Sequence, residues 1–217
     1  MTRPPHIKTV YAIAAGSRSG STLLCRLLES AGLGDPREYL NKDHRKANGS
    51  FDRPDDEYIE SLLEGHRGSI WGTKTVRLQF LEKLVATAGV DYIIRLTRRD
   101  TIRQAVSLYR ARSTGQWGYD AENDAPRQSV EFDRQAIQAA LDQIHGHVDR
   151  WEAFLESTDI PVLRLTYEDL VANMDAEVRV LAMDMGYPVG PATPITTPTL
   201  RASDDLTDDL VRKFLGE

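Results

Sequence analysis

The sequence of 217 residues lacks the features that mark secreted and membrane proteins. It has one cysteine, Cys25, which cannot form an internal disulfide and which fits a reducing compartment. No stretch approaches the ~18 apolar residues of a membrane helix, and residues 1–8 contain no apolar signal-peptide core. We therefore expect a cytoplasmic protein without a membrane span. Cys25 lies among leucines, which predicts a small buried side chain and not a reactive thiol.

Positive charge is also scarce in the chain as a whole. Lys+Arg 27 against Asp+Glu 33 give a net charge of -6, which predicts no general attraction to nucleic acid or anionic membranes. The exception is the stretch Arg95 to Arg112, where six arginines face one acid, Asp100, for a local net charge of +5. The rest of the chain then carries -11. This concentration predicts a binding site for a small, multiply charged anion.

The pattern of apolar residues predicts a single α/β domain over residues 1–217. Hydrophobic residues at 41% and charged residues at 28% are near the averages for globular proteins. Apolar runs predict strands over 9–15, 69–75, 91–97 and 161–165. Helical periodicity predicts helices over 21–31, 55–64, 77–88, 100–112, 130–156, 175–185 and 204–215, with residues 35–54 and 113–128 irregular. This alternation predicts a P-loop-like three-layer fold with a central mostly parallel sheet and helices on both faces.

A loop of small residues joins the first predicted strand to the first predicted helix. Its sequence is Gly16-Ser17-Arg18-Ser19-Gly20-Ser21-Thr22, in which backbone N–H groups, the helix N-terminus and hydroxyl groups can converge on a phosphate. The P-loop of nucleotide hydrolases has four residues between its glycines and a lysine where Ser21 stands here. A kinase or ATPase would therefore lack the cation that bridges the β- and γ-phosphates. An ordinary Ser/Gly-rich turn would show the same residues.

A second anion-binding motif is predicted where the third strand meets its helix. Arg98-Arg99-Asp100 follows the strand directly, with Asp100 as the helix cap, and Ser107 lies eight residues after Arg99. Arg103 and Arg110 share the helix face of Ser107. Taken alone, such arginines commonly form a solvated face that pairs with acids. Because ligands bind at the carboxyl ends of parallel strands, the two motifs together predict a ligand with two anionic groups.

Three motifs resemble those of the sulfotransferases that use 3′-phosphoadenosine 5′-phosphosulfate (PAPS). Residues 18–22 are similar to the loop that binds the 5′-phosphosulfate, and Arg99 with Ser107 has the spacing of the 3′-phosphate site. Residues 162–170, which end in Tyr-Glu-Asp-Leu, resemble a segment that many members share. Bacterial trehalose sulfotransferase-like enzymes are the most similar group, through residues 19–28, Glu38-Tyr39 and residues 98–108. The resemblance is weakest over 41–68 and 118–127, where acceptor specificity is expected.

The resemblance implies transfer of a sulfuryl group from PAPS to an acceptor hydroxyl, with adenosine 3′,5′-bisphosphate (PAP) as the product. The residues it assigns to PAPS are Arg18, Ser19, Gly20, Ser21, Thr22, Arg99 and Ser107. Many cytosolic members have a histidine base shortly after a Lys-Thr pair, but Val76 follows Lys74-Thr75 here. The trehalose-type enzymes have a glutamate after the first helix, which assigns Glu38 as the general base, with His44 as the alternative. Arg18 is the candidate for stabilising the charge on the leaving phosphate, and Lys74 is the candidate for contacting the transferring sulfuryl group, although an ordinary lysine at a strand end would look the same.

Two further candidates come from the later part of the chain. Arg201 resembles an arginine that closes over the cofactor, and the ring of Trp117 could stack on a sugar or lipid acceptor. No His, Cys and acidic residues have metal-ligand spacing, so no metal is expected. The acceptor is expected to be a small molecule, a sugar or a glycolipid, and a homodimer is one option. The alternatives are a P-loop-type small-molecule kinase or NTPase, and a non-catalytic nucleotide-binding domain of the same fold.

Overall fold

A fully buried strand, β1 (Thr9–Ala15), forms the centre of a four-stranded sheet. The structure is a computed structural model that describes residues 3–117, 128–197 and 205–217. The other strands are β2 (Ile70–Thr75), β3 (Tyr92–Thr97) and β4 (Val162–Thr166). They lie in the order β2-β1-β3-β4, and every neighbouring pair is parallel. The apolar runs therefore form the predicted sheet.

Helices connect the parallel strands, because each crossover must return the chain to the same edge. Those before β3 are α1 (Ser21–Ser30), α2 (Lys42–Ala47), α3 (Asp55–Gly65) and α4 (Leu78–Ala88). Those after β3 are α5 (Thr101–Thr114), α6 (Arg134–Ser157), α7 (Tyr167–Ala172), α8 (Met174–Asp184) and α9 (Asp205–Leu215). Among the described residues, no helix is both long and apolar enough to cross a membrane.

The two faces of β1 are buried by different helices. Ile13 points to the face covered by α1 and α8, where Leu24 is among its partners. Ala12 points to the opposite face, which α3, α4 and α6 cover and where Trp151 is buried. Burial of one large apolar side chain contributes about 1.5–3 kcal/mol, so both layers stabilise the sheet. The predicted three-layer α/β fold is confirmed.

The sequence analysis did not predict two short helices. Residues 35–54 were expected to be irregular, but they contain α2, whose first turn is capped by Asn41, with its side-chain oxygen accepting from the Asp43 N–H at 2.8 Å. The other is α7, which begins directly after β4 and is capped by Thr166. Both helices have six residues, too few to show an apolar period.

Candidate active site

The carboxyl ends of β1 and β3 lie side by side and form the centre of the candidate site. Ala15, the last residue of β1, pairs with Leu96 in β3. Because β2 lies on the other side of β1, the chain leaves β1 and β3 in opposite directions across the sheet. Ligands of open parallel sheets bind at such a switch point. The two predicted anion-binding motifs therefore meet at one place.

The phosphate loop, residues 16–22, has a backbone shaped for close approach to a ligand. Arg18 has a φ of 63° and Gly20 a φ of 88°. The left-handed region costs a non-glycine residue about 1–2 kcal/mol, so the Arg18 conformation must be held by its surroundings. Gly20 precedes α1 without a capping side-chain hydrogen bond, and the first turn has no acidic residue. The N–H groups of that turn are therefore suited to an anion.

Contacts from other elements hold the phosphate loop in this shape. Gln104 of α5 donates from Nε2 to the Ser17 carbonyl at 2.8 Å, and the Ser19 hydroxyl donates to the Gly16 carbonyl at 2.8 Å. Gly20 lies against the ring of Tyr167, where an added Cβ would be 2.3 Å from Cδ2. Only glycine satisfies both the φ of this residue and the space left by the ring.

The turn after β3 packs against the same tyrosine. The Arg98 guanidinium lies 4.7 Å from the centroid of the Tyr167 ring, and its Nη1 donates to the Arg18 carbonyl at 3.2 Å. Burial lowers the pKa of Arg98. Its Nε is a buried donor that has no hydrogen-bond partner among the described residues. Such an unsatisfied donor is costly, and it marks this position as one where a ligand group could bind.

Glu168 fixes the backbone of the turn. Its carboxylate accepts from the N–H groups of Arg99 at 3.0 Å and of Asp100 at 3.2 Å. Burial would raise the pKa of Glu168, but these backbone hydrogen bonds and the Arg98 charge outweigh it and hold the pKa below its usual 4.5. Asp100 caps α5 as predicted, since it accepts from the Arg103 N–H at 2.8 Å.

The predicted phosphate-binding side chains Arg18, Ser107 and Arg99 make two separate contacts. Arg18 Nε donates to Ser107 Oγ at 2.9 Å, and another nitrogen of Arg18 donates to the Trp117 carbonyl. Arg99 instead forms a bidentate contact with Asp169, at 2.9 and 3.0 Å. Hydrogen bonds from the Thr166 hydroxyl and from Arg99 lower the pKa of Asp169. The structure thus brings Arg18 and Ser107 together and holds Arg99 against α7.

Glu38 reaches the site through a backbone bridge to β2. The Arg37 carbonyl accepts from the Lys74 N–H at 2.9 Å and from the Thr73 hydroxyl at 2.9 Å. This bridge places Glu38 Oε2 3.3 Å from Lys74 Nζ, while Asn41 Nδ2 donates to Oε1 at 3.2 Å. The side chains of Glu38 and Lys74 keep 24% and 13% of their surface exposed, so a ligand can reach both.

An open cleft connects the Glu38–Lys74 pair to the phosphate loop. Thr22 of the loop lines it, and so do both candidate bases, Glu38 and His44. His44 also contacts the Tyr39 ring edge-on, with 5.6 Å between ring centroids. Cys25 contributes to the wall, and burial raises the pKa of its thiol to about 12, so it is a structural residue. The lining residues are Thr22, Cys25, Arg26, Pro36, Arg37, Glu38, His44 and Lys74.

The remaining two predicted residues are less informative. The Trp117 side chain is 54% exposed, next to the Arg18 side chain that its carbonyl binds. Arg201 lies outside the described residues.

The arginine-rich stretch is not one anion-binding patch, so that part of the sequence interpretation is wrong. The Arg95 side chain is 2% exposed and pairs with Glu152 at 2.9 Å. Arg110 is buried too and donates to Thr207 Oγ1 at 2.6 Å. Arg103 pairs with Asp100 and Asp208. A strand and a helix distribute neighbouring arginines over several faces, and only some of those faces reach the sheet edge.

Sequence reasoning missed how the site is held together. Tyr167, Glu168 and Asp169 were recognised as a motif, but not as the support of the phosphate loop and of Arg98-Arg99-Asp100. Gln104 was not predicted to hold the loop through a hydrogen bond. The position of Tyr167, Glu168 and Asp169 directly after β4, next to β3 in the sheet, is the signal that could have assigned them, once the strand order was known.

Comparisons with known proteins identify the family. The model of the Stf0 sulphotransferase family matches residues 10–71 and 72–217. The chain belongs to this family. No curated protein sequence matches this sulfotransferase.

Solved structures share the fold of this sulfotransferase. The sulfotransferase from Alicyclobacillus acidocaldarius is 14% identical with a TM-score of 0.55, over 96% of this chain and 92% of the other. The sulfotransferase domain of the Synechococcus PCC 7002 olefin synthase is 16% identical with a TM-score of 0.58, over 98% and 97%. Retinol dehydratase, solved with retinol and PAP, is 17% identical with a TM-score of 0.50, over 86% and 62%. At these identities the likeness shows the fold alone, and the family match carries the sulfotransferase assignment.

Proposed function

We propose that this sulfotransferase takes its sulfuryl group from PAPS and transfers it to a hydroxyl of a small-molecule, sugar or glycolipid acceptor. One observation carries the proposal: Thr22, the last residue of the phosphate loop, lines the same cleft as the Glu38–Lys74 pair. A donor held by the loop would therefore present its sulfuryl group towards a carboxylate. The PAP bound to retinol dehydratase, which shares this fold, supports the same donor.

The residues at the sheet edge suit the two anionic ends of PAPS. The uncapped first turn of α1, with Ser21 and Thr22, would hold the 5′-phosphosulfate end, and Arg18 would add a positive charge. The buried Arg98 Nε, which has no hydrogen-bond partner among the described residues, lies beside this loop and adds one more donor. When bound, PAPS supplies an activated sulfuryl group and a phosphate leaving group. The loop donors would then stabilise the charge that grows on that phosphate.

Arg99 and Ser107 would hold the 3′-phosphate. Ser107 Oγ accepts a hydrogen bond from Arg18, so its own O–H stays available as a donor. Arg99 is 59% exposed and pairs with the exposed Asp169, a contact of small net energy that a phosphate dianion can replace. Both side chains can therefore turn to the ligand without a large cost.

Glu38 is proposed as the general base. Lys74 and Asn41 each bind one of its carboxylate oxygens and so fix its orientation. A carboxylate is a weak base, but the acceptor hydroxyl becomes acidic as its oxygen bonds to sulfur, so Glu38 can take the proton late. Lys74 would move from Glu38 towards the oxygens of the transferring group. His44, on the same cleft, is the alternative base.

Several expectations remain proposals beside this mechanism. Trp117 would contact the acceptor, and Arg201 would close over the donor. The enzyme would work without a metal as a single-domain cytoplasmic protein, and a homodimer is one option.

The test of the donor is calorimetry with PAP and, separately, with ATP and Mg²⁺. We expect PAP to bind and ATP to bind far more weakly, because Ser21 replaces the lysine that triphosphates need. Tight ATP binding without PAP binding would favour the kinase or NTPase alternative. Turnover is then measured as transfer of ³⁵S from labelled PAPS to sugars, glycolipids and simple alcohols. PAP binding without transfer to any of them would favour the non-catalytic alternative.

A further inference from the structure

Asn41 connects the proposed base to helix α2. Its side-chain Oδ1 accepts from the Asp43 N–H at 2.8 Å and so caps α2, while its Nδ2 donates to Glu38 Oε1 at 3.2 Å. Its backbone N–H also donates to the Glu38 carbonyl at 2.9 Å. One amide side chain therefore serves a helix end and a candidate catalytic group at the same time.

The cap dictates which end of the Asn41 amide faces Glu38. A carboxamide has an oxygen that accepts hydrogen bonds and a nitrogen that donates them. The Asp43 N–H is a donor, so the amide oxygen must point to it, and the nitrogen must then point to the Glu38 carboxylate. An ionised carboxylate can only accept, so it requires the same orientation. Both partners thus fix the amide in one way.

Neighbouring residues hold the backbone of Glu38 on both sides. Before it, the Arg37 carbonyl accepts from the Lys74 N–H of β2 at 2.9 Å. After it, the Asn41 carbonyl accepts from the Arg45 N–H of α2 at 3.0 Å. Because a glutamate side chain has several rotatable bonds, a fixed backbone does not by itself orient the carboxylate. That orientation must come from the partners of its two oxygens.

The two oxygens of the Glu38 carboxylate have different partners. Oε2 lies 3.3 Å from Lys74 Nζ, and the proposed reaction moves this ammonium group towards the oxygens of the sulfuryl group. Oε2 then becomes accessible to the acceptor hydroxyl. The hydrogen bond from Asn41 to Oε1 involves no residue assigned to the donor, so it can persist throughout the reaction.

We propose that Asn41 is a positioning residue, which holds Glu38 Oε1 so that Oε2 takes the proton of the acceptor hydroxyl. This inference rests on the proposed function, in which Glu38 is the general base. As the acceptor oxygen bonds to sulfur, its O–H bond breaks and the proton goes to Oε2. The bond between sulfur and the phosphate oxygen breaks, and its electron pair leaves with PAP. A displacement of about 1 Å can cost about 100-fold in rate, so the orientation of Oε2 matters.

Two substitutions separate positioning from capping. Asn41→Ser and Asn41→Asp both keep an oxygen that can cap α2, since serine and aspartate are about as good at this position as asparagine. Serine is too short to reach Glu38, and aspartate puts a carboxylate where the amide nitrogen was. The controls are Asn173→Ser and Asn173→Asp, because Asn173 is exposed and also precedes a helix, α8. That helix follows β4, at the opposite edge of the sheet from β2.

The measurements are ³⁵S transfer from labelled PAPS as a function of pH, PAP calorimetry and thermal unfolding. We expect Asn41→Ser to lower kcat about 10-fold or more, with PAP affinity and melting temperature unchanged. Asn41→Asp should lower kcat further at low pH, because neighbouring carboxylates disfavour each other's ionised form, and it should approach Asn41→Ser as the pH rises. The Asn173 variants should match the wild type. All variants keep the other charged or titratable side chains that line the cleft: Cys25, Arg26, Arg37, His44 and Lys74.

Each contrary result has a defined meaning. Unchanged kcat in Asn41→Ser overturns the proposal and leaves Asn41 as a cap alone, which is also the result if His44 on the intact α2 is the base. A loss of rate that parallels a loss of melting temperature overturns it, and so does a pH profile of Asn41→Asp with the wild-type shape. If Asn41→Ser does not fold, Asn41→Asp takes its place.

Failure of the proposed function gives a different result. In that case the wild type does not bind PAP, or Glu38→Gln transfers sulfuryl groups as fast as the wild type does, and the assignment of Oε2 fails with it. Crystal structures of the wild type and of Asn41→Ser then decide the remaining part. An equally ordered Glu38 carboxylate in both would show that Asn41 does not orient it.

Discussion

The phosphate loop and the Glu38 segment face the same cleft, but they are held in different ways. The loop is a contiguous seven-residue motif that side chains of α5, α7 and the turn after β3 fix from several sides. Glu38 lies in a longer connection that is held to β2 by the backbone bridge at Arg37, by the Glu38–Lys74 pair and by the stack of Tyr39 on Trp71. Several elements therefore hold the donor side of the proposed reaction, whereas the acceptor side is held mainly by β2.

This difference separates what a mutation on each side should change. A substitution within the phosphate loop disturbs tightly packed neighbours, so both folding and donor binding should suffer. Glu38 lines an open cleft, so a substitution there should change the rate of sulfuryl transfer but neither folding nor donor binding. The predictions below test that separation, from the largest expected effect to the smallest.

Glu38→Gln should abolish most turnover and leave PAP binding intact. The amide keeps the shape of the side chain but cannot accept the proton, and loss of a general base typically costs about 10²–10⁴-fold in rate. The measurements are ³⁵S transfer from PAPS and PAP calorimetry, with the exposed Glu57→Gln as the control. Unchanged turnover would favour His44 as the general base. A parallel loss of PAP affinity would show that the donor and acceptor sides of the site are not independent.

Gly20→Ala should weaken PAP binding about 100-fold and lower the thermal stability. The new Cβ would meet Tyr167 Cδ2 at 2.3 Å, so the loop or the ring must move. The control is Gly32→Ala, because Gly32 also has a positive φ, 77°, but has open space around it. Gly32→Ala should lower the free energy of unfolding only by the strain of a non-glycine residue at positive φ, about 1–2 kcal/mol, and it should leave PAP binding unchanged. Equal effects of the two variants would mean that contact with Tyr167 does not shape the site.

The same contrast explains how much the sequence could predict. The phosphate loop could be predicted from the sequence, because its glycines, hydroxyls and arginine occupy adjacent positions between a strand and a helix. The four strands and most helices follow from apolar periods in the same way. Helix α2 has no such period, and it depends on Asn41 as cap and on buried Arg45, which binds the Ser50 carbonyl at 2.8 Å.

Long-range partners are the part that sequence patterns leave undetermined. Nothing local tells that Arg95 meets Glu152, that Arg110 meets Thr207, or that Tyr167 lies under Gly20. These contacts depend on strand order and on helix rotation, and they decide which arginines serve the fold and which face a ligand.

Arg99→Ala should weaken PAP binding by about 10-fold, without a large change in stability. Arg99 is exposed, and within the part of the chain that the structure describes its side chain pairs with the exposed Asp169 alone, so its removal costs one proposed phosphate contact and little packing. Arg164→Ala is the matched control, since Arg164 is similarly exposed, at 55%, and pairs with Glu152. Equal PAP affinity in both variants would place the 3′-phosphate elsewhere.

The smallest effect concerns the support of the donor side by Glu168. Its pKa is below 4.5 in the folded protein, so the ionised carboxylate stabilises the fold at neutral pH, and this contribution disappears as pH falls through the folded-state pKa. Urea unfolding of the wild type and of Glu168→Gln should show a stability difference at pH 7 that shrinks at pH values well below about 4. Glu57→Gln should show only the small difference, about 0.3–1 kcal/mol, that a charge in the first turn of an exposed helix contributes. If the Glu168→Gln difference instead stayed constant with pH, the hydrogen bonds to Arg99 and Asp100 would not depend on the charge of Glu168, and the turn after β3 would need another support.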